Sequence, residues 1–428
     1  MARLAVGGRP RLDQIRRFQL QRLREIVRHA QREVPVYRRL WAGLPPAALD
    51  FADIGDLRRL PPVDKGALRE AGREGTIATS FRNRRLEPTL TSGVSGSSLL
   101  LFRTPLECRL LEAFRLRTYF GYGGRWRDLR AVVAWTGRRD TWESEAESHT
   151  PLWHRLGILP RVVLDCQRSA DELAAEIRGL RPQVLGGYPT SLARVADLWT
   201  PVDRERSNIR LVLTGGESLT PPLRRRIAAG IGARVFDCYG ASELNLLAWE
   251  CPETGLYHVV DDALVLEVER DGRPAAEGEE GDVLVTGLHS FAMPFVRFRL
   301  GDRAVRGPDR CPCGAPWSTL AALHGRAMGY LRLPGGRDLH YWGAVSPLMA
   351  VAPWALEYRL LQRAPADLLF QIVAERPPTE AEAAELHREA ARIFGDEVRF
   401  EHELVERLPL GPGGKHVSFV PLEASARN

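Results

Sequence analysis

Alternating strand-like and helical runs predict an α/β protein built around parallel or mixed sheets. Three observations carry that prediction. Strand-like segments alternate with helices from about residue 86 to 231. From about Leu264 to Arg299 the pattern changes to short strands and tight turns, which predicts an antiparallel or barrel-like subdomain. Beyond Gly325-Arg326 a strand, a helix and a further strand follow, as in a small α+β domain. The expected division is a large N-terminal domain over 1–325 and a small C-terminal domain over 326–428.

The elements follow in order. Residues 11–43 place Leu12, Ile15, Phe18, Leu23, Ile26 and Val27 on one helical face, ahead of Val34-Pro35-Val36-Tyr37. Pro61-Pro62 and Asp64 announce a short helix. A strand is expected over Leu86–Leu90, and further strands over Leu129–Trp135, Val162–Leu164, Val184–Leu185, Ile209–Leu213 and Ala233–Phe236. A helix is expected over Pro221–Ile231. Glu267–Gly272 and Asp282–Thr286 read as strands with turns. In the last hundred residues, strands are expected over Leu368–Val373 and Glu397–Val405. Pro377-Pro378-Thr379 opens a helix over Glu380–Phe394.

With 428 residues, 44% hydrophobic and 27% charged, the chain can bury a large core and has a globular composition. It holds no run of eighteen apolar residues and no apolar signal core near Met1, which argues for a cytoplasmic protein without a membrane partner. The net charge of +6 suits an anionic ligand. The basic residues are scattered rather than striped, which argues against nucleic acid. An excess of Arg over Lys is also what GC-rich coding produces. Only Lys65 and Lys415 are lysines among 60 basic residues. Lys415 ends Leu410-Gly411-Pro412-Gly413-Gly414, where a compact ammonium on a flexible stem could reach a reacting oxygen. The alternative is an ordinary surface lysine in a polar turn.

Three further motifs carry chemistry. Thr91-Ser92-Gly93-Val94-Ser95-Gly96-Ser97-Ser98 interleaves hydroxyls and glycines, so backbone N–H and O–H groups can wrap a polyphosphate, although the Gly-Lys-Ser/Thr ending of a Walker loop is missing. Asp237-Cys238-Tyr239-Gly240-Ala241-Ser242-Glu243 offers an aromatic surface beside glycine and a hard oxygen donor for Mg²⁺ at Glu243. The alternative there is a buried tyrosine in a βα turn. Met293–Asp302 reads as a strand delivering Asp302 into a Gly-Asp turn, suited to accepting hydrogen bonds from sugar hydroxyls. Arg297 and Arg299 would lie on one face of it, solvated in the simplest case. Cys108, Cys166 and Cys238 read as small buried thiols. Cys251, His258, Cys311 and Cys313 offer three thiolates and an imidazole, a closed tetrahedral set for structural Zn²⁺. An incidental grouping is the alternative, and a zinc-ribbon module lacks a second close pair.

Taken in this order and spacing, the motifs resemble the adenylate-forming superfamily of acyl-CoA synthetases and adenylation domains. Within it they look most like the phenylacetate–CoA ligase branch, including its capsule-biosynthesis-like relatives. Val34-Pro35-Val36-Tyr37 and Leu60-Pro61-Pro62-Val63-Asp64-Lys65 look like that branch's entry region. The resemblance implies ATP as substrate, with its phosphates on Thr91, Ser92, Gly93, Ser95 and Gly96. Gly216, Glu217, Tyr239, Gly240 and Ser242 would line the nucleotide. Asp302 would hold the ribose, Arg326 the ribose or phosphate region, and Glu243 the Mg²⁺. Lys415 would act on the carboxylate and the bridging oxygen. Trp135, Tyr188, Pro189 and Ala241 are candidates for the acid pocket, and the Cys/His set resembles a zinc site seen in part of the branch. The implied activity is adenylation of an aryl or arylacetic acid followed by transfer to coenzyme A, with rotation of the small C-terminal domain between the steps. Transfer to an amine or a carrier-protein thiol is the close alternative, and a binding protein without turnover the remote one. A homodimer is compatible with all three. Two departures stand out: Ser97, Ser98 and Leu99 replace the usual basic residue after the last loop glycine, and Ala327-Met328 follow Arg326 where the superfamily usually has an acidic hinge.

Overall fold

The computed structural model describes residues 11–90, 99–134, 157–166, 168–326, 330–409, 419–420 and 422. Two compact units emerge. The first holds the described residues through Asp128, 157–160 and Phe236–Arg326; the second holds Leu129–Ala134, Arg161–Val235 and the described residues after Arg326. No helix among the described residues is long and apolar enough to cross a membrane.

The first unit begins with the expected helix, which is two helices rather than one. Leu12–Glu33 ends at Val34, whose extended backbone (φ −111°, ψ 113°) is what a residue preceding proline adopts, and Pro35–Leu40 starts afresh. Ile15, Gln19, Leu23, Ile26, Val27 and Ala30 are buried along the helical face the sequence marked. Asp64 caps Lys65–Thr76, its carboxylate accepting from Ala67 N at 2.8 Å. Strands Glu87–Leu90 and Leu100–Arg103 form an antiparallel hairpin flanking the Ser/Gly stretch. Thr104 and Glu107 then cap the helix Pro105–Gly121 reciprocally.

The main sheet of this unit is antiparallel throughout. Its strands lie in the order Arg273–Pro274, Leu264–Arg270, Glu280–Gly287, Phe298–Arg306, Thr319–Arg326, Tyr257–Val259, Asn245–Glu250 and Arg234–Ala241. The order is linear, so among the described residues the expected barrel-like part is an open sheet. Val283, Val285, Leu264 and Phe298 face Leu23, Val27 and Tyr37 in one core.

In the second unit Arg161–Asp165, Arg130–Ala134, Val184–Gly187 and Leu211–Gly215 lie side by side and parallel, as the βα alternation predicts. Ala170–Leu180, Pro189–Asp197 and Pro221–Ile231 supply the helices, burying Ile177, Leu192 and Ile227 against Val133, Leu185 and Val212. The C-terminal part is α+β. Its sheet order is Arg399–Leu404, Asp367–Ala374, Ala355–Ala364 and Phe419–Val420. Leu360, Phe370 and Ile372 pack with Leu386 and Phe394 of the helix Glu380–Phe394 and with Leu348 of Tyr341–Val351.

Arg297 corrects the picture of a solvated strand face. It sits just before the strand Phe298–Arg306 with a left-handed φ of 45° and is 3% exposed. Its guanidinium donates to Glu267 Oε2 at 3.1 Å, Glu269 Oε1 at 2.7 Å and the Leu60 carbonyl at 2.7 Å. Burial pushes the Glu267 carboxyl up, and Arg297 opposes that shift. Arg299 does remain partly exposed, paired with Asp282. Replacing Arg297 by Met leaves two half-buried carboxylates without their buried cation, so a loss of about 3 kcal/mol is expected in urea denaturation. An unchanged midpoint would show that the node is not a stabilising element.

Candidate functional site

Asp302 lies inside a strand rather than in the Gly-Asp turn the sequence suggested. On Phe298–Arg306, Arg299 pairs with Leu284 and Arg303 with Asp282, so the residues between them bulge opposite a single partner. Gly301 at the bulge has φ 80°, a conformation that glycine adopts without steric cost. The bulge presents the 8% exposed Asp302 to Tyr239, whose hydroxyl donates to Asp302 Oδ2 at 2.6 Å. Across the sheet, Asp302 is the register partner of Arg326. Three residues singled out in sequence thus meet on neighbouring strands or through one hydrogen bond. Tyr239 itself is 9% exposed and packs in the core with Leu244 and Leu247. Its strand continues into an antiparallel hairpin, not a helix.

The hairpin turn carries the next group. Gly240 approaches Asn245 so closely that a Cβ would stand 2.7 Å from its carbonyl oxygen. Ala241 ends the strand and is half-buried, as is Ser242, whereas Glu243 is buried at 3% exposure. Arg103 Nη2 donates to the carbonyl oxygens of both Ser242 and Glu243, the latter at 2.7 Å. Arg103 was not marked in sequence. Its one legible signal was a basic residue closing the apolar strand after the Ser/Gly stretch.

Within the second unit, the strand Leu211–Gly215 delivers Gly216, whose φ is 79°. A Cβ there would lie 2.9 Å from Tyr188 Cε1, so the glycine packs against that ring. Glu217 is held by Thr190, whose amide and hydroxyl donate to Oε2 at 3.2 and 2.7 Å. Tyr188 and Pro189 form the junction between Val184–Gly187 and the helix Pro189–Asp197, with Tyr188 9% exposed. Two nucleotide candidates and two acid-pocket candidates are neighbours here. Thr190 was missed because a Thr in a helix's first turn carries no signal by itself.

The donor atoms of Cys251, His258, Cys311 and Cys313 all lie within 4.8 Å of one another. Two tight turns bring the thiols in: Gly255 N donates to the Cys251 carbonyl at 3.0 Å, and Gly314 N to that of Cys311 at 3.0 Å. The strand Tyr257–Val259 supplies His258. Cys311 Sγ is 3.8 Å from Cys251 Sγ, and Cys313 Sγ is 3.5 Å from His258 Nε2. Tetrahedral bonds of ordinary zinc–sulfur and zinc–nitrogen length give about 3.8 and about 3.5 Å for those two separations. Burial pushes the His258 imidazole down to about 4 and the Cys313 thiol up to about 12. Burial also raises the Cys251 thiol, but hydrogen bonds from Thr254 and Glu253 leave it below its ordinary value. A neutral imidazole is ready to coordinate, and a bound cation would remove the burial penalty on the thiolates. Of the three isolated cysteines, Cys166 is buried as expected, while Cys108 and Cys238 are partly exposed.

Thr91, Ser92, Gly93, Ser95, Gly96, Trp135 and Lys415 lie outside the described residues. So does the side chain of Arg326, although its backbone pairs with Asp302.

The AMP-binding enzyme family profile matches residues 155–293 of the chain. The likeness to the phenylacetate–CoA ligase branch is borne out as well. A phenylacetate–coenzyme A ligase of Thermus thermophilus is 26% identical, covering 90% of this chain and 84% of its own length. Another, from Escherichia coli, is 27% identical, covering 68% and 67% respectively. Among solved structures, a 2-hydroxyisobutyryl-CoA ligase in the postadenylation state with 2-HIB-AMP superposes with a TM-score of 0.75. It is 19% identical, over 98% of this chain and 93% of that one, and shows the same fold.

The Gly216 geometry makes a local prediction. Gly216→Ala places a side chain in the left-handed region and against Tyr188, and should cost roughly 1–2 kcal/mol in chemical denaturation. A neutral result would mean that the loop relaxes freely and that the close packing on Tyr188 is not a constraint.

Proposed function

We propose that this protein activates a carboxylic acid with ATP, releasing pyrophosphate, and passes the acyl group from the acyl-adenylate to coenzyme A. An aryl or arylacetic acid is the proposed substrate. The observation that carries the proposal is the strand bulge that holds Asp302 against Tyr239 and in register with Arg326. The relatives named phenylacetate–coenzyme A ligase support the choice of acid and acceptor.

In this scheme each residue has a physical task. Asp302, its Oδ2 already accepting from Tyr239, would accept further hydrogen bonds from ribose hydroxyls, with Arg326 beside it. Glu217, fixed by Thr190, and Gly216 would line the adenine, and Tyr188, Pro189, Trp135 and Ala241 would bound the acid. Thr91–Ser98 would wrap the phosphates. Bound Mg²⁺ would supply electrostatic stabilisation of phosphate charge, and Glu243 offers the hard oxygen that suits it. Lys415 would neutralise charge that builds on the carboxylate and the bridging oxygen, since phosphoryl chemistry depends mostly on positioning and electrostatics. The C-terminal domain, 326–428, would move to withdraw Lys415 for the second step. The chain would work in the cytoplasm, alone or as a homodimer, without nucleic acid or membrane.

The Cys251, His258, Cys311 and Cys313 set would hold a structural zinc ion, closed to water and remote in role from the chemistry.

Lys415→Ala is expected to cut acid-dependent pyrophosphate release by roughly a hundredfold or more while ATP binding stays near wild type. Unchanged pyrophosphate exchange in that variant would sink the catalytic role of Lys415. Running the wild-type assay with and without coenzyme A separates the acceptors, because full turnover without it favours an amine or a carrier-protein thiol. For the metal, about one zinc per purified chain is expected. Cys311→Ser should lose it and lower the melting midpoint by roughly 5 °C or more. A zinc-free wild type that melts like the variant would refute the site.

A further inference from the structure

We infer that Arg103 is a positioning residue that fixes the direction of the Glu243 carboxylate, an inference that rests on the reading of Glu243 as the Mg²⁺ donor. Arg103 is 6% exposed and closes the strand Leu100–Arg103, where it pairs in register with Glu87. That hairpin brackets the hydroxyl- and glycine-rich stretch proposed for the phosphates. From there its Nη2 crosses to the carbonyl oxygens of Ser242 and Glu243. One guanidinium therefore connects the end of that hairpin remote from the stretch with the turn that carries the carboxylate.

The turn has little other freedom. Ser242, Glu243 and Leu244 join the strands Arg234–Ala241 and Asn245–Glu250, Gly240 is pressed on the Asn245 carbonyl, and Asn245 has φ 65°. Two successive carbonyls turned toward one donor fix the peptide planes on both sides of Glu243, and hence the direction in which its Cα–Cβ bond leaves the backbone. A guanidinium does this well because its donors are arranged in a rigid planar fork; a lysine ammonium is a mobile point charge. Without Arg103 those carbonyls lose a charged donor, and the turn can rotate to find other partners.

Nucleotide affinity with and without metal tests this beyond turnover. Calorimetric titration of ATP is compared in excess Mg²⁺ and in EDTA for wild type, Arg103→Met and Arg103→Lys, with melting curves alongside. Arg103→Met should weaken binding in Mg²⁺ about tenfold, the loss typical of a charged hydrogen bond, with a much smaller change in EDTA. Arg103→Lys should recover part of the loss. Equal weakening in both conditions, or none, in a folded Arg103→Met protein overturns the inference and leaves Arg103 merely structural. If the Met variant does not fold, the Lys variant decides by the same comparison: a loss confined to Mg²⁺ supports the inference and an equal or absent loss overturns it. Failure of the functional reading is distinguishable, since the wild type would then show no acid-dependent pyrophosphate release. Glu243→Gln with unchanged affinity in Mg²⁺ would remove the premise and the inference with it.

Discussion

The first unit depends on a single buried cation. Arg297 joins the Glu267 and Glu269 carboxylates of one strand to the Leu60 carbonyl of the N-terminal segment, immediately before the strand that carries Asp302. Backbone hydrogen bonds reinforce it, with Val63 N donating to the Arg297 carbonyl and Arg299 N to that of Val63. Tyr37 adds a second tie, donating to the Pro294 carbonyl and accepting from Val296 N. The N-terminal helices are thus part of the scaffold that sets where the Asp302 strand begins.

A strand held at its start can hold a bulge further on. Three residues between the Arg299 and Arg303 pairs face one partner, and the left-handed Gly301 absorbs the excess. The same bulge turns Asp302 to Tyr239. Arg103 does for the Ser242–Glu243 turn what Arg297 does for the strand. In both places a nearly inaccessible guanidinium satisfies backbone carbonyls, and Arg297 also pairs with the Glu267 and Glu269 carboxylates.

Much of the architecture was legible in the sequence. The helix Pro221–Ile231 and the helix Glu380–Phe394 have the expected bounds, because Thr220 and Thr379 cap them and proline or Glu382 marks the first turn. The parallel strands were found within a residue or two, since buried strands read as short apolar runs. The first helix was expected to continue through Val34-Pro35; proline ended it. The face assigned to Arg297 and Arg299 failed for a different reason. Period-two reasoning presumes regular strand geometry, and a left-handed residue just before the strand breaks the alternation.

Local chemistry was therefore set by the sequence alone: which residues could cap, turn, ligate or carry charge, and the superfamily their order resembles. Cys251, His258, Cys311 and Cys313 could be grouped in advance because turn-forming residues and soft donors are local properties. Only the tertiary structure decided that those four donors converge to within 4.8 Å of one another, that Asp302 sits on a bulge instead of in a turn, and that Arg103 and Thr190 hold two of the candidate carboxylate residues. Each of those outcomes depends on contacts between segments far apart in the chain. Such contacts are fixed by packing and register, which no local pattern specifies.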